Sequence, residues 1–137
     1  MRADPKVQLL RGVPLFEHCS TRQLAEIAST VDQIDVPAGR AVAREGAQGH
    51  EFVVLADGIA DVESRGEVVN KLGPGDFFGE IALVTGEPRT ATVTTRTPAR
   101  LLVFNAPAFR ALLARAPRVR RRVVASAALR LARPEPA

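Results

Sequence analysis

From residue 33 to 105 the chain is cut into short β-prone runs by Gly, Pro and Asp, at the spacing of a β-sandwich or barrel. The runs fall at 33–36, 41–44, 51–56, 59–63, 67–72, 91–97 and 100–104. Turn signals separate them: Pro37-Ala38-Gly39, Gly46 with Gly49, Asp57-Gly58, Ser64-Arg65-Gly66 and Gly73-Pro74-Gly75-Asp76. The flanks follow another period. Residues 20–30 read as a short helix in which Ser20 caps, Gln23 reaches back, and Leu24, Ile27 and Ala28 form an apolar stripe. Beyond Ala106 the pattern is helical again, with a break near Ala116-Pro117 and a stop at Pro134. The expectation is a single domain over all 137 residues, with helices over 7–30, a β-barrel over 31–105 and two C-terminal helices over 106–132.

Length and composition agree with one core, since single domains usually run about 100 to 150 residues. Hydrophobic residues make up 46% and charged residues 25%, which excludes a disordered or fibrous chain. Apolar runs such as 52–56 fall far short of the ~18 to 20 residues that span a bilayer. The N-terminal Met1-Arg2-Ala3-Asp4-Pro5-Lys6 leads into no signal-peptide stretch, so a soluble, cytoplasmic protein is expected. The single cysteine, Cys19, has no partner for an internal disulfide or a zinc cluster, in keeping with a reducing compartment. Arginines outnumber lysines 17 to 2, a usage that suggests a GC-rich bacterial genome.

The net charge of +4 conceals an asymmetry. The first 105 residues carry 11 basic and 14 acidic side chains, whereas the last 32 carry 8 arginines and Glu135. A nucleic-acid reader needs basic surface together with an element that enters a groove, and the pattern offers only a basic helix.

One window departs from an ordinary sandwich strand, the stretch Gly73-Pro74-Gly75-Asp76-Phe77-Phe78-Gly79-Glu80-Ile81-Ala82-Leu83-Val84-Thr85-Gly86-Glu87-Pro88-Arg89-Thr90-Ala91-Thr92-Val93. Its middle reads as one helical turn from Glu80 to a Gly86 cap, inserted between two strands. Such a turn presents unpaired backbone N–H groups to whatever lies before it. Arg89 follows, and a guanidinium meets a phosphate through two parallel charge-assisted hydrogen bonds. Thr90 adds a hydroxyl, and the small Ala82 and Ala91 let a ligand approach the backbone. Glu80 beside a phosphate makes sense only if it faces donors, and a ribose hydroxyl is one. Together these groups describe a nucleotide site.

Phe78-Gly79-Glu80-Ile81-Ala82-Leu83 followed, after five residues, by Arg89-Thr90-Ala91-Thr92-Val93 resembles the phosphate-binding cassette of the cyclic nucleotide-binding domain family. Arg44-Glu45-Gly46, Phe52-Val53-Val54-Leu55, the Gly58 turn and Leu72-Gly73-Pro74-Gly75-Asp76 are similar to its strand and turn pattern, so that the likeness spans about Leu10 to Leu131. It implies a mainly β fold: an eight-stranded jelly-roll barrel with N-terminal helices and two C-terminal helices, the last a lid. It implies that Arg89 pairs with the cyclic phosphate and Glu80 with the ribose 2′-hydroxyl, while Gly79, Ile81, Ala82, Thr90 and Ala91 line phosphate and sugar. The ligand expected is cyclic AMP, with cyclic GMP second because Thr90 resembles the hydroxyl residue of guanine-preferring members. No further cofactor is expected.

The chain has no Trp or Tyr to cap a base, so a Phe, aliphatic groups or an arginine plane must serve. On a helical wheel of the last segment Val119, Val123, Val124, Ala127 and Leu131 share a face, Arg118, Arg121 and Arg122 lie opposite, and Arg120 falls on the apolar side as the candidate for base contact. No effector domain is recognisable, so the expected partner is a separate effector protein or a second copy, met through the basic helix, with neither nucleic acid nor membrane involved.

Two other readings compete. An interaction module with a vestigial pocket would keep the cassette without its ligand. A cupin-like metalloenzyme would share the jelly roll, but its metal needs several histidines inside the barrel, and His18 and His50 stand in the helical segment and beside the Gly49 turn. No nucleophile stands in a recognisable catalytic setting, so no enzyme activity is expected. Residues 20–28 resemble the first helix of a helix-turn-helix, but the expected second helix is replaced by a strand and turn.

Overall fold

A computed structural model describes residues 4–132, with side chains through Arg130. The chain opens with helix α1 (Pro5–Arg11), a 3-10 turn (Pro14–Phe16) and helix α2 (Thr21–Ala28). The capping box read from the sequence is present: Ser20 Oγ accepts from the Gln23 amide at 3.1 Å and Gln23 Oε1 accepts from the Ser20 amide at 2.8 Å. Eight strands follow: β1 (Asp32–Val36), β2 (Ala41–Ala43), β3 (Glu51–Asp57), β4 (Ala60–Ser64), β5 (Glu67–Leu72), β6 (Phe77–Phe78), β7 (Thr92–Thr95) and β8 (Ala99–Asn105). Helix α3 (Glu80–Thr85) interrupts them between β6 and β7, and α4 (Ala106–Arg115) and α5 (Pro117–Ala132) close the chain.

The strands form two antiparallel four-stranded sheets, in the orders β1-β8-β3-β6 and β2-β7-β4-β5. This is the antiparallel eight-stranded roll with flanking helices expected above. The strand that the seven β-prone runs omit, β6, is only two residues long and lies inside the cassette window, where no alternation could mark it. Pro134 lies outside the described residues.

Three layers result. Val53 and Leu55 of β3 point between the sheets, where they meet Leu101 and Val103 of β8, Leu72, Phe78 and Val93. Phe52 and Val54 point the other way, into a second core shared with Leu102 and Phe104 and with Leu10, Leu24, Phe109, Leu112 and Val119 of the helices. β3 is therefore apolar on both faces, which explains why 52–55 is an unbroken apolar run rather than an alternation. Phe52 anchors the helical side, with ring centroids 5.4 Å from Phe77, 5.6 Å from Phe104 and 4.9 Å from Phe109.

Helix α5 buries Val119, Val123 and Ala127, as its wheel predicts. Val124, assigned to the same face, is 48% exposed, because it lies a full 100° round from Val123 and clears the groove. Arg122 is exposed on the outer face, as the wheel predicts, and from there it donates to the Pro14 carbonyl and stands 3.4 Å from Glu17, tying α5 to the 3-10 turn.

Candidate functional site

A cavity of about 600 Å³ opens between α3, the β4–β5 hairpin and the C-terminal part of α5, within the size range of small-molecule sites. Gly79, Ile81, Ala82, Arg89, Thr90 and Ala91, all singled out in the cassette, line it. Ala43, Val62, Leu72, Phe78 and Val93 give an apolar wall, and Ser64, Arg65, Val69 and Asn70 form its far end.

Arg89 is held in place by absent side chains. A Cβ on Gly49 would lie 2.7 Å from Ala82 Cβ and 3.1 Å from Arg89 Cγ, and a Cβ on Gly79 would lie 2.4 Å from the Glu51 carbonyl oxygen and 3.0 Å from Arg89 Nη1. Gly79 also takes φ 96°, a left-handed conformation that starts α3 at the close of β6. The guanidinium donates from Nη2 to the Glu51 carbonyl at 3.2 Å and belongs to none of the ion pairs among the described residues. Burial disfavours its charge, against the attraction of the Glu51 and Glu80 carboxylates. A partly buried cation that meets a neutral acceptor still has capacity for an anion.

Glu80 takes a different position from the one expected. It is fully buried and does not line the cavity. Oε1 accepts from Arg130 Nη1 at 2.6 Å, while Arg130 Nη2 donates to the Phe77 carbonyl at 3.0 Å and the guanidinium lies 5.8 Å from the Phe77 ring centroid. Burial pushes the Glu80 carboxyl above its ordinary range, with the Arg130 charge, its own amide, Ser126 and Arg89 pulling it down. Oε2 has no hydrogen-bond partner of proper geometry among the described residues.

The lid candidate needs correction as well. Arg120 is exposed and lies outside the cavity, and the arginine of α5 that lines it is Arg130. The two stand ten residues apart, about 15 Å along a helix, so Arg120 belongs to the α4–α5 junction and the cavity lies at the other end. The signal was there: Arg130 follows Val123 by seven residues and Ala127 by three, at the centre of the buried stripe. Gly49, the β4–β5 wall and Arg130 are the site residues that sequence reasoning missed.

Other constellations remain dispersed. Among the described residues no group of three or more His, Cys, Asp or Glu converges. His18 stands 3.4 Å from Glu17, His50 is exposed, and burial pushes the Cys19 thiol up, away from a reactive thiolate. No helix among the described residues is long and apolar enough to cross a membrane.

The fold and cassette geometry agree with what comparison finds. Residues 33–116 match the model of the cyclic nucleotide-binding domain, and the chain belongs to that family. It is 38% identical over 112 residues to a cyclic nucleotide-gated potassium channel of Mesorhizobium japonicum, covering 82% of this chain and 31% of the channel. It is 36% identical over 115 residues to a cAMP-dependent protein kinase regulatory subunit of Mycosarcoma maydis, covering 77% of this chain and 22% of that subunit. Among solved structures, cAMP-bound PfPKA-R superposes with a TM-score of 0.76 at 25% identity, over 82% of this chain and 39% of that one. The chain thus spans less than a third of the length of these two curated relatives.

Proposed function

We propose that this chain is a non-catalytic receptor for a purine 3′,5′-cyclic nucleotide, cyclic AMP first and cyclic GMP second, and that it signals by moving α5. The observation that carries the reading is Arg89: a partly buried guanidinium at the wall of an apolar cavity, fixed by two glycine contacts and without a carboxylate ion pair among the described residues. A singly charged cyclic phosphate supplies the missing anion and two acceptor oxygens, and the apolar wall suits sugar and base. Glu80 fits the same ligand only once the Arg130 contact that covers it opens: its Oε2, unpartnered among the described residues, then offers an acceptor to a ribose 2′-hydroxyl. The cAMP carried by the superposed regulatory subunit structure supports the choice of nucleotide.

Arg130 makes α5 part of the site, because one side chain contacts Glu80 and lines the cavity. A ligand hydroxyl arriving at Glu80 competes with Arg130 or closes it down further, and either event moves the helix end. The partner that reads this movement is a separate effector or a second copy, facing Arg118 and Arg121 on the exposed side of α5.

Isothermal titration with cyclic AMP and cyclic GMP tests the reading. Saturable binding is expected, weakened at least about a hundredfold in Arg89→Ala, because charge-assisted hydrogen bonds contribute about 1.5–3 kcal/mol each. Heat-silent titration with both nucleotides would refute it.

A further inference from the structure

Two segments of the cavity wall lie beyond the reach of the sheet ladders. Arg89, Thr90 and Ala91 form one, and Ser64 and Arg65, where β4 turns into β5, belong to the other. The β4–β7 ladder runs only as far as Glu63 opposite Thr92, so both segments extend past its last rung. Residues 45–47, which follow β2, bond to both. The Gly46 amide donates to the Arg89 carbonyl and the Arg89 amide donates to the Ala47 carbonyl, each at 2.8 Å. The Glu45 amide donates to Thr92 Oγ1 at 2.9 Å, and Glu45 Oε1 accepts from the Arg65 amide at 3.0 Å. In the sheet order β2-β7-β4-β5, Glu45 therefore reaches from the end of β2 past β7 to the turn between β4 and β5.

That turn is strained at the point where Glu45 holds it. Arg65 has φ 55° and Gly66 φ 82°, the pair of positive values of a two-residue hairpin turn whose first position is normally filled by Asn, Asp or Gly. Arg65 is the one non-glycine residue with positive φ among the described residues. Such a conformation persists where the surrounding structure over-determines it, and residues of this kind cluster at ligand clamps. Glu45 is exposed and belongs to neither core, so packing does not account for it. Its side chain restrains a residue that lines the cavity, and its main chain borders the segment that carries Arg89.

We infer that Glu45 is a positioning residue for the nucleotide: through the Arg65 amide it holds the 64–66 turn at a fixed distance from Arg89 and so sets the width of the cavity between them. The inference rests on the cyclic-nucleotide reading of the cavity. What Glu45 contributes is an acceptor oxygen rather than a charge, and glutamine retains that oxygen.

Calorimetric titration of the wild-type chain, Glu45→Ala, Glu45→Gln and Arg89→Ala with cyclic AMP tests it, with urea denaturation alongside to confirm that each variant is folded. Glu45→Ala is expected to weaken binding about three- to tenfold, the worth of one exposed hydrogen bond, and Glu45→Gln to stay within about twofold of wild type. The Arg65 amide should exchange with solvent faster in Glu45→Ala than in the wild-type protein. Wild-type affinity in Glu45→Ala, even with a lowered urea midpoint, makes the bond a merely structural tie and overturns the assignment. Glu45→Gln as weak as Glu45→Ala, or unchanged exchange at Arg65, overturns it as well. If Arg89→Ala has at the same time lost binding, the receptor reading stands without it. Absence of wild-type binding overturns both.

Discussion

Arg89 and Glu80 are each poised by what surrounds them rather than by their own type. Arg89 is a cation that burial disfavours, and Glu80 is a carboxylate in the same position with one oxygen paired and one bare. The second case has a consequence for pH. Burial raises the folded-state pKa of Glu80 above 4.5, so the folded protein binds that proton more tightly than the unfolded chain. The stability this lends is present at low pH and is lost as pH climbs through the raised value. Relative to Glu80→Gln, the wild-type protein should lose stability as pH rises from 4.5 and level off beyond the elevated pKa, which urea denaturation at intervals from pH 4 to 8 checks. Both residues stand out in the sequence because the resemblance to the family's cassette marks them. Their partners do not. Glu80 meets Arg130 fifty residues away, and Gly49 acts through a contact with Ala82 and Arg89 that only folding creates.

Among the elements, α3 and α5 differ in how openly the sequence declares them. Glycines in left-handed conformations bound α3 at Gly79 and Gly86, so its limits could be read directly. The run of α5 was equally plain, from Pro117 to a stripe of Val119, Val123 and Ala127. A stripe fixes which face is buried but not what each level of the helix meets, so the wheel points to Arg120 although Arg130 is the arginine that lines the cavity. The same helix is where signalling is to be sought. Addition of cyclic AMP should shift the backbone amide NMR signals of α5, most strongly in its C-terminal half beside Arg130. Arg130→Ala, which removes the bonds to Glu80 and Phe77, should shift the same signals without ligand. Unmoved signals in the ligand titration would remove the switching claim while leaving binding intact.

At the level of the whole molecule, the layers of helices, helix-facing sheet and cavity-bearing sheet are joined through β3 and β8, each of which feeds both cores. Phe52 lies in the helical core with three aromatic neighbours, and its truncation leaves a void that neighbouring strands cannot fill by collapse. Phe52→Ala should cost about 3–5 kcal/mol, read from the shift in a denaturant titration. The repeat of short strands announced the roll, whereas the pairing of β3 with both β8 and β6 had no local signature, since strand order is decided by contacts far apart in the chain. The carbonyl that holds Arg89 belongs to Glu51, the residue immediately before Phe52 on that strand. A ribbon wedged between two close-packed cores has no slack in which to dissipate a displacement. On the proposed function, an anion that pulls on the guanidinium would tug this strand, and the helical layer packed against it would feel the pull through the main chain, by a route through the centre of the molecule as well as over its rim.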